Sequence, residues 1–266
     1  MELPGRLVLL GHPVSHSLSP AFQNAALRAA GIPLQYEALD VPPRDLARVT
    51  GLLAEAGAAG NVTVPHKEAF VARCDVLSPV ARQAGAVNTF WVEGGALHGD
   101  NTDVGGFDAA VRATVGLPSG PFEVAVLGAG GAARAVLAAV ERWEGARVRV
   151  WARTMARAER LITQFRSARA VWSLDEAVQG AALVVNATPV GSVHDGLPAD
   201  PSLLDADARV FDLAYRRGLT PWVLACRARG LRASDGLPML LEQGALSFER
   251  WFGRAPDRNA MLEAVQ

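Results

Sequence analysis

Short apolar runs alternate with longer helical segments along the first part of the chain. Three buried strands are predicted, from Arg6 to Gly11, from Leu34 to Val41 and from Ala59 to Val64. Two helices are predicted between them, one from Pro20 to about Ala30 with Ser19 as its N-cap and one from Pro43 to Ala56. A hairpin is expected to follow, with strands from Val87 to Val92 and from Ala96 to Gly99.

The same alternation continues in the second part, which begins near Asp103. Four more strands are predicted, at Val124–Leu127, Val148–Ala152, Ala182–Asn186 and Val210–Leu213. Helices are expected from Val104 to Thr114, from about Thr154, and from Pro238 to Phe252. Strands that alternate with helices imply parallel sheet joined by right-handed crossovers, so the pattern predicts an α/β protein.

A glycine-rich turn follows the strand that ends at Leu127 and opens a helix. Gly128 permits the tight turn, Gly130 lets the backbone approach a pyrophosphate, and Ala133 lets the helix pack closely on the strand. The helix N-terminus adds positive potential for phosphate groups. The pattern therefore predicts a dinucleotide site, and the alternative is a glycine-rich turn that only packs.

The strand after this turn ends without the acidic residue that binds the ribose 2′-hydroxyl of NAD. Arg153 and Arg157 lie there instead, at the start of a helix where Thr154 can also donate. Two guanidiniums at a helix N-terminus suit a 2′-phosphate. This favours NADP(H) as the cofactor, and the alternative is two solvated surface arginines.

Serine and histidine residues cluster after the first strand. Ser15, Ser17 and Ser19 lie beside a predicted helix N-terminus, where hydroxyl groups suit a carboxylate ligand. Helix capping by Ser19 alone is the alternative. His12 and His16 would share a face only within a helix, which Pro13 opposes, so the spacing does not favour a metal site.

Lys67 is the only lysine in a chain with 26 Lys and Arg residues. It lies with Thr63 at the end of a predicted strand, and Asn88 and Asp103 add an amide and a carboxylate. These groups suit the binding of a polyhydroxylated ring. Hydride transfer to a carbonyl leaves an alkoxide, which an ammonium both stabilises and protonates, whereas a guanidinium cannot release a proton near neutral pH. The alternative is that Lys67 is an incidental surface cation.

Composition argues against several other classes of protein. The length of 266 residues fits one large domain or two modest ones, and 50% hydrophobic residues allow a substantial core. A net charge of −1 without blocks of like charge argues against a nucleic-acid partner, and no apolar run is long enough to span a membrane. No secretory signal is recognisable, and Cys74 and Cys226 form no CxxC motif, so a cytoplasmic location is expected.

Nine short motifs occur in the order in which one enzyme family carries them: SHSLSP, NVTVPHK, GAVNT, GDNTD, GAGGAARA, ARTMARA, NATPVG, FDLAY and GLPMLLEQGALSFE. By these motifs the chain resembles the shikimate dehydrogenase family over essentially its whole length. The resemblance implies reversible, NADPH-dependent reduction of 3-dehydroshikimate to shikimate, a step of aromatic amino-acid (chorismate) biosynthesis. A quinate/shikimate dehydrogenase of dual specificity and a non-enzymatic NADP-binding sensor on the same fold are the alternatives.

The resemblance also implies two domains. Residues 1–102 and 237–266 would form an α/β substrate domain with mostly parallel sheet, and residues 103–236 a Rossmann-type doubly wound NADP domain. The expected partners are small molecules, shikimate or 3-dehydroshikimate, bound by a monomer or a homodimer. Closure of the domains around the ligands is expected as well.

Site residues follow from the same motifs. Lys67 and Asp103 would form the catalytic pair. The residues implied to bind substrate are Ser17, Ser19, Thr63, Asn88, Tyr215 and Gln243. The residues implied to contact the cofactor are Gly128, Ala129, Gly130, Gly131, Ala132, Arg153, Thr154, Arg157, Thr188, Leu213, Gly236 and Met239. A core tyrosine and an ordinary polar helix position are the alternatives for Tyr215 and Gln243. The family usually has asparagine where this chain has Ala152, and NADP preference is expected to survive this change.

Overall fold

The chain forms two compact units in the computed structural model, which describes residues 3–192 and 194–266. The first unit extends to Gly106 and includes Leu240–Gln266, and the second comprises Phe107–Met239. The chain passes between the units inside two helices, α4 (Thr102–Thr114) and α9 (Leu237–Phe252). Because the first turn of α4 belongs to the first unit, Asp103 lies there and not at the start of the second.

A six-stranded sheet forms the centre of the first unit, in the order β2-β1-β3-β5-β6-β4. Its strands are β1 (Leu7–Gly11), β2 (Tyr36–Asp40), β3 (Ala59–Val62), β4 (Val76–Leu77), β5 (Thr89–Glu93) and β6 (Ala96–Asp100). Pairing is parallel among β2, β1 and β3 and between β4 and β6, and antiparallel through β3, β5 and β6. The predicted hairpin is confirmed, and its central residues, Gly94 and Gly95, both have positive φ, as a type I′ turn requires.

Helices cover both faces of this sheet. They are α1 (Ser19–Ala29), α2 (Leu46–Glu55) and α3 (Pro79–Ala84), with parts of α4 and α9 and with α10 (Arg258–Glu263). Successive residues of β1 point to opposite faces. Leu7 and Leu9 accordingly pack with Phe22 of α1 and Phe248 of α9, whereas Val8 and Leu10 belong to the core on the other face.

The start of α1 differs from the sequence prediction. Ser19 is the first residue of the helix, and the N-cap position is occupied by Leu18, which has no side chain that can accept a hydrogen bond. The Ser17 hydroxyl accepts the Ser19 N–H at 3.2 Å instead. Pro20 is the second residue of the helix, one position later than predicted.

An all-parallel, six-stranded sheet forms the second unit, in the order β12-β11-β10-β7-β8-β9. The strands are β7 (Phe122–Leu127), β8 (Ala146–Trp151), β9 (Ala168–Ala170), β10 (Leu183–Asn186), β11 (Arg209–Asp212) and β12 (Arg232–Ser234). The helices are α5 (Gly131–Val140), α6 (Met155–Ile162), α7 (Leu174–Val178) and α8 (Pro221–Ala228). This is the doubly wound Rossmann order, which confirms the predicted fold class, and the order reverses between β7 and β10. No helix in residues 3–192 and 194–266 is long and apolar enough to cross a membrane.

Candidate active site

An ion pair between Lys67 and Asp103 lies in the first unit. The Lys67 Nζ is 2.7 Å from the Asp103 Oδ2, and the side chains are 16% and 6% exposed. Asp103 lies in the first turn of α4, where the helix dipole favours a negative charge. The two residues expected to form a catalytic pair are therefore in direct contact.

The Asn88 amide holds the second oxygen of this carboxylate. Its Nδ2 donates to the Asp103 Oδ1 at 2.9 Å, and its Oδ1 accepts the backbone N–H of Thr102 at 2.7 Å. Because a backbone N–H can only donate, this contact fixes which end of the amide faces Asp103. The carboxylate is thus oriented by an ammonium on one oxygen and an amide on the other.

Gln243 of α9 reaches the same group of side chains. Its Oε1 lies 3.2 Å from the Asn88 Nδ2, and its Nε2 donates to the Leu240 carbonyl at 2.8 Å. The structure therefore brings Lys67, Asp103, Asn88 and Gln243 together, although they come from four separate segments of the chain.

A buried chain of hydrogen bonds beneath this group was not predicted. The Tyr36 hydroxyl donates to the Asn61 Oδ1 at 2.8 Å, and the Asn61 Nδ2 donates to the Ser247 Oγ at 2.8 Å. The Ser247 Oγ lies 2.9 Å from the Thr102 Oγ1, which contacts Asn88. Asn61, Thr102 and Ser247 all lie within the nine motifs, and Ser247 also shares a helical face with Gln243.

The other predicted substrate residues of this unit lie at the ends of neighbouring parallel strands. Ser17 and the buried Ser19 follow β1, and Thr63 follows β3. The Thr63 N–H donates to the Leu10 carbonyl at 2.7 Å, which holds the two strand ends together. In the described ranges, these three side chains form no hydrogen bond with Lys67, Asp103, Asn88 or Gln243.

The histidine after β1 has a different partner. The His12 Nδ1 lies 2.7 Å from the Asp40 Oδ1, and both side chains are exposed. In the part of the chain that the structure describes, no group of three or more His, Cys, Asp or Glu residues could hold a metal ion.

The glycine turn of the second unit has the geometry of a phosphate site. Gly128 has φ +117°, and a Cβ there would lie 2.7 Å from the Ala187 carbonyl oxygen, so a side chain is excluded. Gly130 is the N-cap of α5, provides no side chain to cap it, and has open space where its Cβ would be. The free N–H groups of the first helical turn can therefore meet an anion, and the buried Ala133 packs α5 on the sheet.

The residues after β8 offer a second anion site. Arg153 and Arg157 are exposed, and neither guanidinium pairs with any residue in the described ranges. Thr154 is the N-cap of α6, but its hydroxyl forms no capping hydrogen bond. Two unpaired guanidiniums and an uncapped helix start fit a 2′-phosphate.

The remaining cofactor candidates follow β10, β11 and β12. The Thr188 N–H and hydroxyl both donate to the Asn186 Oδ1, at 2.9 and 2.6 Å. A Cβ added at Gly236 would overlap the Leu213 carbonyl oxygen, so these two segments touch. Met239 is buried near the start of α9.

Two carboxyl groups and a phenol near these strand ends have shifted pKa values. Burial raises the pKa of Asp212 and of Asp235 above the ordinary carboxyl value. Burial also raises the pKa of the Tyr215 phenol, which therefore keeps its proton and can donate a hydrogen bond.

Both ends of this chain match known domains. Residues 9–90 match the shikimate dehydrogenase substrate binding domain, and residues 236–266 match the shikimate 5′-dehydrogenase C-terminal domain. A shikimate dehydrogenase (NADP(+)) from Mesorhizobium japonicum is 43% identical over 270 residues, which cover 100% of this chain and 96% of the relative. The chain belongs to the shikimate dehydrogenase family.

Solved structures of similar proteins have the same fold. A shikimate 5-dehydrogenase of this family from Thermus thermophilus, in complex with NADP(H) and shikimate, is 42% identical with a TM-score of 0.89, covering 99% of this chain and 98% of that chain. A quinate dehydrogenase from Corynebacterium glutamicum, in complex with NAD, is 29% identical with a TM-score of 0.89, covering 99% of both chains.

Proposed function

We propose that this protein is an NADP-dependent shikimate dehydrogenase, which reversibly reduces 3-dehydroshikimate to shikimate. The observation that carries the proposal is the Lys67–Asp103 pair, held by Asn88, in a chain of this family. The Thermus relative, with NADP(H) and shikimate bound, supports the same substrate and cofactor.

Lys67 is the proton donor in the proposed mechanism. NADPH, when bound, supplies a hydride for the carbonyl carbon. The Lys67 ammonium gives a proton to the carbonyl oxygen, becomes a neutral amine, and regains its proton from solvent. Asp103 holds the ammonium at 2.7 Å and accepts a hydrogen bond from a ring hydroxyl. The reverse reaction uses the same groups in the opposite direction.

The substrate is oriented by the surrounding polar groups. Ser17 and Ser19 bind the substrate carboxylate. They lie at the start of α1, where the helix dipole favours negative charge. The ring hydroxyls bind to Thr63 and to the amides of Asn88 and Gln243. The role of Tyr215 as a substrate-binding residue stays a prediction.

The second unit provides the residues for NADP. The first turn of α5 holds the pyrophosphate, since Gly130 leaves its N–H groups uncapped. Arg153, Thr154 and Arg157 hold the 2′-phosphate, and the segments with Thr188, Leu213, Gly236 and Met239 line the nicotinamide half. The donor set supports NADP over NAD because the end of β8 carries no carboxylate for a free 2′-hydroxyl. A cytoplasmic location and a monomeric or homodimeric state stay predictions.

One assay tests this function. The purified protein is mixed with shikimate and NADP⁺, and absorbance at 340 nm reports NADPH formation. We expect turnover that depends on both compounds. A folded protein that binds NADP⁺ without turnover would contradict the proposal and favour an NADP-binding sensor.

Quinate dehydrogenase activity is the second candidate, because the Corynebacterium quinate dehydrogenase has a TM-score of 0.89 with this chain. A comparison of kcat/KM for shikimate and quinate separates the two. We expect shikimate to be preferred, and comparable values would identify a dual-specificity enzyme.

A further inference from the structure

Asp212, the last residue of β11, is a fully buried carboxylate without a cationic partner in the described ranges. Its Oδ1 accepts from the Asn186 Nδ2 at 2.7 Å and from the Ala214 N–H at 3.0 Å. Its Oδ2 accepts from the Thr220 hydroxyl at 2.7 Å. Three donors thus offset part of the cost of removing water from this group.

The three donors belong to three different segments. Asn186 ends β10 and holds the next loop, because its Oδ1 accepts twice from Thr188 and its Nδ2 also donates to the Val190 carbonyl at 3.2 Å. Ala214 fixes the backbone directly after Leu213. Thr220 is the N-cap of α8. One carboxylate therefore determines the relative positions of the loops after β10 and β11.

These loops lie where the nicotinamide half of a dinucleotide belongs. The glycine turn follows β7, and the unpaired arginines follow β8, on one side of the point where the strand order reverses. In this fold a dinucleotide binds across that point. If the 2′-phosphate end lies at β8 and the pyrophosphate at β7, the other half extends over the ends of β10 and β11.

We propose that Asp212 is a positioning residue for the nicotinamide half of NADP, which it orders through Asn186 and Ala214 without touching the cofactor. This inference rests on the proposed NADP-dependent function. It assigns to Asp212 a role in cofactor orientation separate from binding at the adenine end, where Arg153 and Arg157 lie.

The choice of variants follows from the geometry. Asp212→Ala removes both carboxylate oxygens, which accept from Asn186, Ala214 and Thr220. In Asp212→Asn, the amide oxygen can keep both N–H donors of Oδ1, while its NH₂ faces the Thr220 hydroxyl, which can accept. Asn186→Leu has similar volume and removes the amide that connects Asp212 with Thr188 and with the Val190 carbonyl, while Asp212 keeps its donors Ala214 and Thr220. It therefore serves if Asp212→Ala does not fold. Asp207→Ala, an exposed acid in the same unit, is the matched control.

The experiment compares two ligands by calorimetry on the full chain. NADP⁺ contains the nicotinamide half, and 2′,5′-ADP contains only the adenine half with its 2′-phosphate. We expect Asp212→Ala, or Asn186→Leu in its place, to raise the Kd for NADP⁺ about tenfold. The Kd for 2′,5′-ADP should stay within about twofold of the wild-type value. For Asp212→Asn, the Kd for each ligand should stay within about threefold of the wild-type value. For Asp207→Ala, both Kd values should equal those of wild type.

Equal weakening of both ligands in a folded variant would show a general structural role and overturn the inference. Unchanged NADP⁺ binding would overturn it too. Failure of the underlying function has a different signature, because the wild-type protein would then bind neither ligand or would show no turnover with shikimate.

Discussion

The substitution Lys67→Arg separates proton transfer from charge. The Lys67 ammonium lies 2.7 Å from Asp103, and both side chains are largely shielded from water. Arginine can keep this ion pair and the positive charge, but it cannot release a proton near neutral pH. We therefore expect the variant to fold and to bind substrate, but to lose most of its turnover.

The expected loss can be estimated from the role of a general acid. Such a group contributes about 10²- to 10⁴-fold in rate. At about 1.36 kcal/mol for each factor of ten, this is about 2.7–5.4 kcal/mol in the activation barrier. Lys67→Met is less informative, because it leaves the buried Asp103 without its cation, and breaking a buried ion pair costs about 3–5 kcal/mol of stability.

Steady-state kinetics at 340 nm measures kcat and the KM for shikimate in wild type and in Lys67→Arg. The matched control is Arg112→Lys, a cation exchange in an exposed ion pair with Asp108 at 2.9 Å, which should leave both constants unchanged. We expect a fall in kcat of at least 100-fold with a small change in KM. Retention of most activity in Lys67→Arg would refute proton donation by Lys67 and leave only its charge.

Three further predictions concern the second unit. Arg153→Ala should lower kcat/KM for NADPH much more than for NADH, and equal losses would place the 2′-phosphate elsewhere. Gly236→Ala would drive a Cβ into the Leu213 carbonyl and should cost about 1–3 kcal/mol in urea unfolding, whereas Gly51→Ala, in open space on α2, should be neutral or stabilising. Because burial raises the pKa of Asp212 above 3.8, the folded state holds its proton more tightly than the unfolded chain, and stability falls as pH rises through the raised pKa. The unfolding free energy of Asp212→Asn relative to wild type should therefore increase between pH 4 and 7, and a constant difference would show that Asp212 does not carry this cost.

The long strands were predictable because buried strands consist of consecutive apolar residues. β7 and β10 lie inside parallel sheet covered on both faces, so they appear as continuous apolar runs such as Val124–Leu127. The glycine turn was recognisable because its requirements are local. Only glycine fits at Gly128, where the backbone conformation and the nearby Ala187 carbonyl both exclude a side chain.

The short elements carry no comparable signal. β9 and β12 have three residues each, with the sequences ARA and RAS, and they are strands because they pair with β8 and β11. Tertiary pairing outweighs local propensity there. The helix α10 did have a local signal, because the Asp257 side chain caps it by accepting from the N–H groups of Asn259 and Ala260.

The residues of the candidate site differ in the same way: some carry a signal in the sequence, and others are recognisable only in the folded structure. Lys67 stood out because this arginine-rich chain has no other lysine, and its chemistry needs no partner to be noticed. Asp212 lies in the FDLAY motif, yet its hydrogen-bond donors come from three segments of the chain. The sequence does not show that it is buried or that no cation lies beside it in the described ranges. A carboxylate with such partners is indistinguishable in sequence from one in solvent. A side chain with distinctive chemistry can therefore be singled out in the sequence, whereas one whose role depends on its neighbours becomes visible only when the fold brings those neighbours together.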